Sequence, residues 1–225
     1  MFIGHFAVAL GAKKAVPKVS LGTLILSATF LDLLWPLFLI LGLEHVRIDP
    51  GNTAVTPLDF YDYPITHSLL AVLGWSVAFG LVYYAVRKEK FAAWVLGLGV
   101  LSHWVLDFFT HRPDLLLIPG ESLKVGLGMW YSVPLTLVVE IGLFILGLYL
   151  YLRTTTAKDR TGIWSFWGLI VFLAVVYTAN VLAGLFGPPP PNAEAIGYAG
   201  LLSWLFVPWG YWIDRHRRQS IAPVP

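Results

Sequence analysis

Gly99–Asp114 reads GVLSHWVLDFFTHRPD. It closes an apolar stretch, Phe91–Thr110, that is long enough to cross a bilayer, because a spanning helix takes about 20 residues. On a helix, His103, Asp107 and His111 fall four residues apart and share one face. Ionisable groups inside a spanning segment are costly and mark a site or a pathway. Two of them at i, i+4 need a partner, and a divalent cation satisfies both.

Working outward, the whole chain has the composition of an integral membrane protein. Its 225 residues are 57% hydrophobic and 12% charged, about half the charge of a soluble domain. Ten Trp and ten Tyr suit aromatic belts at two interfaces. A formal charge of +2 gives no reason to expect a nucleic-acid partner. With no cysteine, disulfides and thiolate ligands are excluded, so a bound metal must use His, Asp, Glu or backbone oxygen. The opening MFIGHFAVALGAKKAV carries its charges after the apolar run, the reverse of a cleavable signal.

The expected fold is an all-α membrane bundle, a single transmembrane domain over residues 1–225. Six candidate spans are legible: Leu21–Leu43, Pro64–Val86, Phe91–Thr110, Met129–Leu152, Ile163–Phe186 and Gly197–Ile213. The first 12 residues are apolar but too few to cross, and they suggest a short helix dipping into the bilayer or lying against the bundle. HVRIDPGNT after the first span reads as a structured turn. No repeat and no pair of Gly/Pro-broken helices is visible.

The basic residues set an expected orientation. One side holds Lys13, Lys14, Lys18, Arg87, Lys88, Lys90, Arg153, Lys158, Arg160, Arg215, Arg217 and Arg218; the other holds only Arg47, Arg112 and Lys124. Positive-inside bias places both termini in the cytoplasm. Glu44, Asp49, Asp59, Asp62, Asp114, Glu121 and Glu194 then face outward.

At about 1.5 Å per residue, Asp32 and Glu140 fall near mid-bilayer. His67 lies one turn below the outer surface, and His103 and Asp107 lie in the outer half. His5 is about 12 Å deep if the first helix runs inward to Lys13. Six ionisable residues from five segments thus share one zone. His111, Arg112 and Asp114 lie beyond the end of their span, stopped by Pro113, and read as a solvated rim. His45 and His216 read as surface residues.

GHFAVALGAKKA at Gly4–Ala15, LDLLWP at Leu31–Pro36, THSLLAV at Thr66–Val72 and GVLSHWVLDFFT at Gly99–Thr110 together resemble the bacterial YdjM-type family of inner-membrane metal-dependent hydrolases, grouped loosely with zinc phospholipase C and related nucleases. The resemblance covers Met1 to about Asp114. It implies that His5, Asp32, His67, His103 and Asp107 are metal-binding positions. The family's first-span motif resembles P-D-x-D-H-P, and here Leu34 and Trp35 replace its second acidic residue and its His. Asp62, Tyr63 and Pro64 stand where the family has H-R-G. These replacements point to one metal rather than two, and leave open a fold that has lost catalysis.

The expected function is a membrane-embedded hydrolase, using a divalent metal, zinc by its His/carboxylate donors, on a phosphoester or lipid-like substrate from the outer side. Glu140 or Asp62 is a candidate general base, and Arg112 a candidate phosphate holder. The rival readings are a transporter or proton pathway and a metal-stabilised scaffold. For topology, reporter fusions after Arg153 and within Pro188–Pro191 are expected to report opposite sides, the first cytoplasmic. A cytoplasmic signal from the proline-rich segment would invert the orientation.

Overall fold

The computed structural model describes residues 1–120 and 123–220; Glu121 lies outside them. In chain order the elements are α1 (Ile3–Ala15), α2 (Leu21–Ala28), α3 (Phe30–Ile40), a hairpin of β1 (His45–Ile48) and β2 (Leu58–Asp62), α4 (Pro64–His67), α5 (Leu69–Arg87) and α6 (Lys90–Thr110). A short ribbon of β3 (Leu115–Leu116) and β4 (Lys124–Val125) follows, then α7 (Val133–Thr154), β5 (Thr155–Ala157), α8 (Arg160–Phe186), α9 (Ala193–Leu201), α10 (Phe206–Arg215) and β6 (Arg217–Gln219). Among the described residues the three strand pairs are all antiparallel, and β5 pairs with β6 across the whole of α8 to α10.

Four helices, α5 to α8, are each long and apolar enough to cross a membrane, and α2 with α3 makes a fifth if the bent pair is one span. Their outer faces carry Val77, Leu81, Val82, Trp94, Val138, Ile145, Trp164 and Val175, all exposed and all apolar, as lipid contact requires. The expected sixth span does not form one helix. Residues 197–213 divide among α9, a 3₁₀ turn at Leu202–Leu205 and α10. α2 and α3 bend by 57° at Thr29. Gly210 packs on Gly22 of α2, while Gly197 and Gly200 pack on Ile40 and Pro36 of α3. α9 and α10 thus each follow one half of the bent pair.

The bend has a local cause. The Thr29 hydroxyl donates to the Ile25 carbonyl at 2.8 Å, a side-chain bond that competes with the helix ladder and bends it. Asp32 then falls in the first turn of α3, where a helix start favours a carboxylate. The expected second span also breaks. Ser68 ends α4, accepts from the Ala71 amide at 3.4 Å and donates to the Pro64 carbonyl at 2.6 Å, which starts α5. Neither break sits at Gly or Pro, so the sequence shows none.

α1 is neither interfacial nor peripheral: most of its residues are buried within the bundle, against α7, α2 and α6. In lipid, close packing of small residues drives helix association more than apolar burial does. A Cβ on Gly147 would lie 2.4 Å from the Ala7 carbonyl oxygen and 2.8 Å from its Cα. Ser27 Oγ donates to the Leu96 carbonyl and Ser76 Oγ to that of Gly97, both at 2.6 Å, pinning α2 and α5 to α6. HVRIDPGNT becomes β1 and the turn that follows it. Gly147→Ala is expected to cost about 1–3 kcal/mol through overpacking, read as a lowered unfolding temperature in detergent. Gly142→Ala, with open space at its Cβ, should leave that temperature unchanged.

Candidate metal centre

His103 reaches the centre of the bundle from α6 and is fully buried. Its Nδ1 lies 2.9 Å from the Ala28 carbonyl, the last of α2, released by the break at Thr29. A carbonyl only accepts, so Nδ1 carries the proton. Its Nε2 faces two carboxylates: Asp32 Oδ1 at 3.4 Å and Asp107 Oδ2 at 3.2 Å.

His67 is oriented by a similar device. Glu44, fully buried after α3, accepts from the Ile65 and Thr66 amides at 2.8 and 2.7 Å, and from the Thr66 hydroxyl at 2.7 Å. The hydroxyl has only one proton to give. It gives it to Glu44 and so accepts from His67 Nδ1 at 2.6 Å. His67 Nε2 then faces Asp32 Oδ1 at 3.9 Å and Asp107 Oδ2 at 3.8 Å.

His5 enters from α1. Its ring stacks on that of His103 at 3.6 Å and 3°, and its Nε2 lies 3.2 Å from Asp107 Oδ1 and 4.0 Å from Asp32 Oδ2. The five expected ligand residues therefore converge. His5, His103 and Asp107 form one group of three donors, and Asp32, His67 and His103 a second, each with its donor atoms within 4.8 Å of one another.

These residues fit a divalent cation. Ligand bonds of about 2.0–2.2 Å allow two donors of one ion to stand up to about 4.4 Å apart, and the imidazole–carboxylate distances above, 3.2 to 4.0 Å, lie below that. Both nitrogens of His5 and Nε2 of His103 are buried without a hydrogen-bond partner, although buried polar groups are nearly always satisfied. Asp32 alone keeps an open face, with 41% of its side chain accessible.

The Met1 amino group shares the zone, 2.5 Å from Asp107 Oδ1. Met1 is thus buried in the bundle. Glu140, buried on α7, accepts from the Phe2 amide at 2.9 Å and so holds the first turn of α1. Asp62 is half-exposed on β2 and pairs with His45 at 2.8 Å, outside both donor groups. Arg112 is engaged by Asp59 and, at 3.5 Å, by Asp114; Asp59 also holds Arg47 at 2.6 Å.

The expected solvated rim is instead buried. His111 and Asp114 are 4% and 2% exposed. Trp130 and Phe60 lie against the His111 ring at 4.2 and 5.1 Å, because β1–β2 and the segment before α7 fold over the end of α6. Asp114 Oδ1 takes His111 Nδ1 at 3.0 Å and the Tyr63 hydroxyl at 2.8 Å. Burial pushes the Tyr63 phenol well above its usual range, so it stays a donor. His111 Nε2 points inward, 4.0 Å from Asp107 Oδ1. Its i+4 spacing from Asp107 was the available signal. Thr66 sits beside its histidine in sequence, whereas Glu44, 22 residues away, gives no sequence signal.

The model of the family described as YdjM inner membrane protein matches residues 3–184. The chain belongs to the YdjM inner membrane protein family. The match reaches past the Met1–Asp114 stretch that carries the motifs and takes in α7 and most of α8. No curated protein and no solved structure matches the chain. Membership supports a membrane protein, inner membrane by family, in contact with a lipid bilayer. Arg112→Ala should leave Asp59 with only the exposed Arg47 and lower stability by about 1–3 kcal/mol, measured by thermal unfolding. Arg47→Ala should cost less than about 1 kcal/mol.

Proposed function

We propose that this YdjM-family protein is a metal-dependent hydrolase embedded in the membrane. The observation that carries the reading is the convergence of three imidazole Nε2 atoms and two carboxylates around His103, with buried ring nitrogens that lack any other partner. His67, His103, Asp32 and Asp107 would hold a divalent metal, with His5 on the Oδ1 side of Asp107. Zinc suits the mixed His/carboxylate set. When bound, such a metal supplies a water acidified to a pKa of about 7 and an electrophile for a phosphoryl or carbonyl oxygen.

The chain's own residues do the rest. Ala28 and the Glu44–Thr66 pair fix the tautomers of His103 and His67, an outer layer that commonly orients metal ligands. Asp32 leaves the face through which substrate reaches the centre. His111, with Nδ1–H donated to Asp114, presents Nε2 as proton acceptor at the Asp107 side. That replaces Glu140 and Asp62 in the role of base, since the first holds Phe2 and the second His45. Arg112, held by two carboxylates, is not free for phosphate. The twelve-to-three basic bias supports a cytoplasmic basic end and a centre facing the outer half. It also supports α9–α10 as a sixth crossing within one transmembrane domain. A lipid or phosphoester suits a centre at that depth.

One observation favours a transporter. Broken spans with polar groups at the break are how many transporters build binding sites, and α2–α3 breaks beside Asp32. The decisive measurement is elemental analysis of purified protein, followed by turnover of phosphodiester and phospholipid substrates with zinc or manganese. About one divalent ion per chain is expected in wild type and none in His103→Ala. Thr66→Val should weaken metal affinity about 10- to 100-fold. Metal without turnover would favour a scaffold. Proton flux in liposomes, lost in Asp32→Asn and Glu140→Gln, would favour transport.

A further inference from the structure

A second polar centre lies at the other end of α1, about 12 Å along the helix from His5 to Lys13. There the last turns of α1 and α10, the start of α2 and the β5–β6 ribbon surround a cavity of about 390 Å³. Lys13, Lys18, Arg215, Arg217 and Arg218 line it, against one carboxylate, Asp214. That carboxylate is engaged: Oδ2 takes Lys13 Nζ at 2.7 Å and the Leu21 amide at 2.6 Å.

Arg217 is buried, at 8% exposure. Its guanidinium is held by neutral groups only, the Thr155 hydroxyl and carbonyl at 3.1 Å and the Gly162 carbonyl at 3.2 Å. It lies over the Phe166 ring at 4.7 Å and the Tyr151 ring at 5.4 Å. Among the described residues, no carboxylate pairs with Arg217, Lys18, Arg215 or Arg218, whereas Lys13 does pair, with Asp214. Charge bias explains basic residues at a membrane edge. It does not explain a walled cavity with a guanidinium fixed in its side by a two-stranded ribbon. A buried charge without a counter-ion is costly, and a cavity beside it is where a counter-ion fits.

We propose that this cavity binds a phosphate-bearing anion, either a lipid headgroup or free phosphate. The exposed guanidinium groups of Arg215 and Arg218 match phosphate oxygens, the buried Arg217 adds a fixed positive charge beside them, and the volume is within the range of small-ligand sites. The site stands apart from the metal centre, and the test is done on chelated protein so that phosphate at a metal does not enter the reading.

The full chain, purified in detergent with EDTA, is titrated with inorganic phosphate, with dioctanoyl phosphatidylglycerol, and with dioctanoylglycerol, which has the same acyl chains and no phosphate. Unfolding temperature is the readout. Phosphatidylglycerol or phosphate should raise it by several degrees at saturation, and dioctanoylglycerol should not. Arg215→Gln/Arg218→Gln, both exposed, should shift the titration midpoint about tenfold to weaker binding. Equal stabilisation by phosphate and phosphatidylglycerol identifies a free-anion site, and stabilisation by the lipid alone a headgroup site. No shift with either phosphate ligand, an equal shift with dioctanoylglycerol, or an unchanged midpoint in the double variant would overturn the proposal.

Discussion

Asp107 cannot stand ionised and alone among packed helices, and the elements around it answer that constraint. Its two oxygens face different partners. Oδ1 meets His5 and the Met1 amino group, while Oδ2 meets His103 and His67. Three segments, α1, α4 and α6 itself, therefore close on one carboxylate. Small residues make that closure feasible: Gly147 admits α1, and Gly97 and Gly99 admit α5 and α2 to the face of α6.

Breaks in the helices are as important as the helices. In a continuous helix, the Ala28 carbonyl would be taken by the amide four residues on. The Thr29 bend frees it for His103 and turns Asp32 inward in the same step. The stop at Ser68 likewise places His67 at the end of a single turn, with Thr66 and Glu44 behind it. Irregular backbone at membrane depth is tolerated where it is buried in protein. Here the released groups find side-chain partners, so each break adds a ligand orientation rather than an unsatisfied group.

The sequence made the bundle and the five converging residues legible because both rest on local signals: apolar run length, and ionisable residues at computable depth. Depth along each helix is additive, so five segments could be aligned without knowing how they pack. What was not legible depends on neighbours. His111 and Asp114 read as a rim because they follow the last helical turn, but Trp130 and Phe60 cover them from segments distant in the chain. Arg112 and Asp62 read as chemistry because of their type, but Asp59 and His45 engage them. The last span looked continuous because its own residues carry no break signal beyond scattered glycines and Pro208; its 3₁₀ turn falls between the half that packs on α3 and the half that packs on α2.

The two polar centres share α1, and that makes the helix more than a filler of the bundle. Its first turn presents His5 to Asp107, and its last turn presents Lys13 to Asp214. Between them Phe6, Ala9 and Leu10 are sealed in the apolar core. A helix of 13 residues held at both ends by polar contacts cannot slide without loosening both. Its register is therefore set by electrostatics at the ends and by the close Ala7–Gly147 approach in the middle. A short amphiphile could not hold its pose in this way by apolar contact alone, because the neighbouring lipid is as apolar as the core. Polar anchoring at both ends is what turns a segment too short to span into a fixed wall of the site.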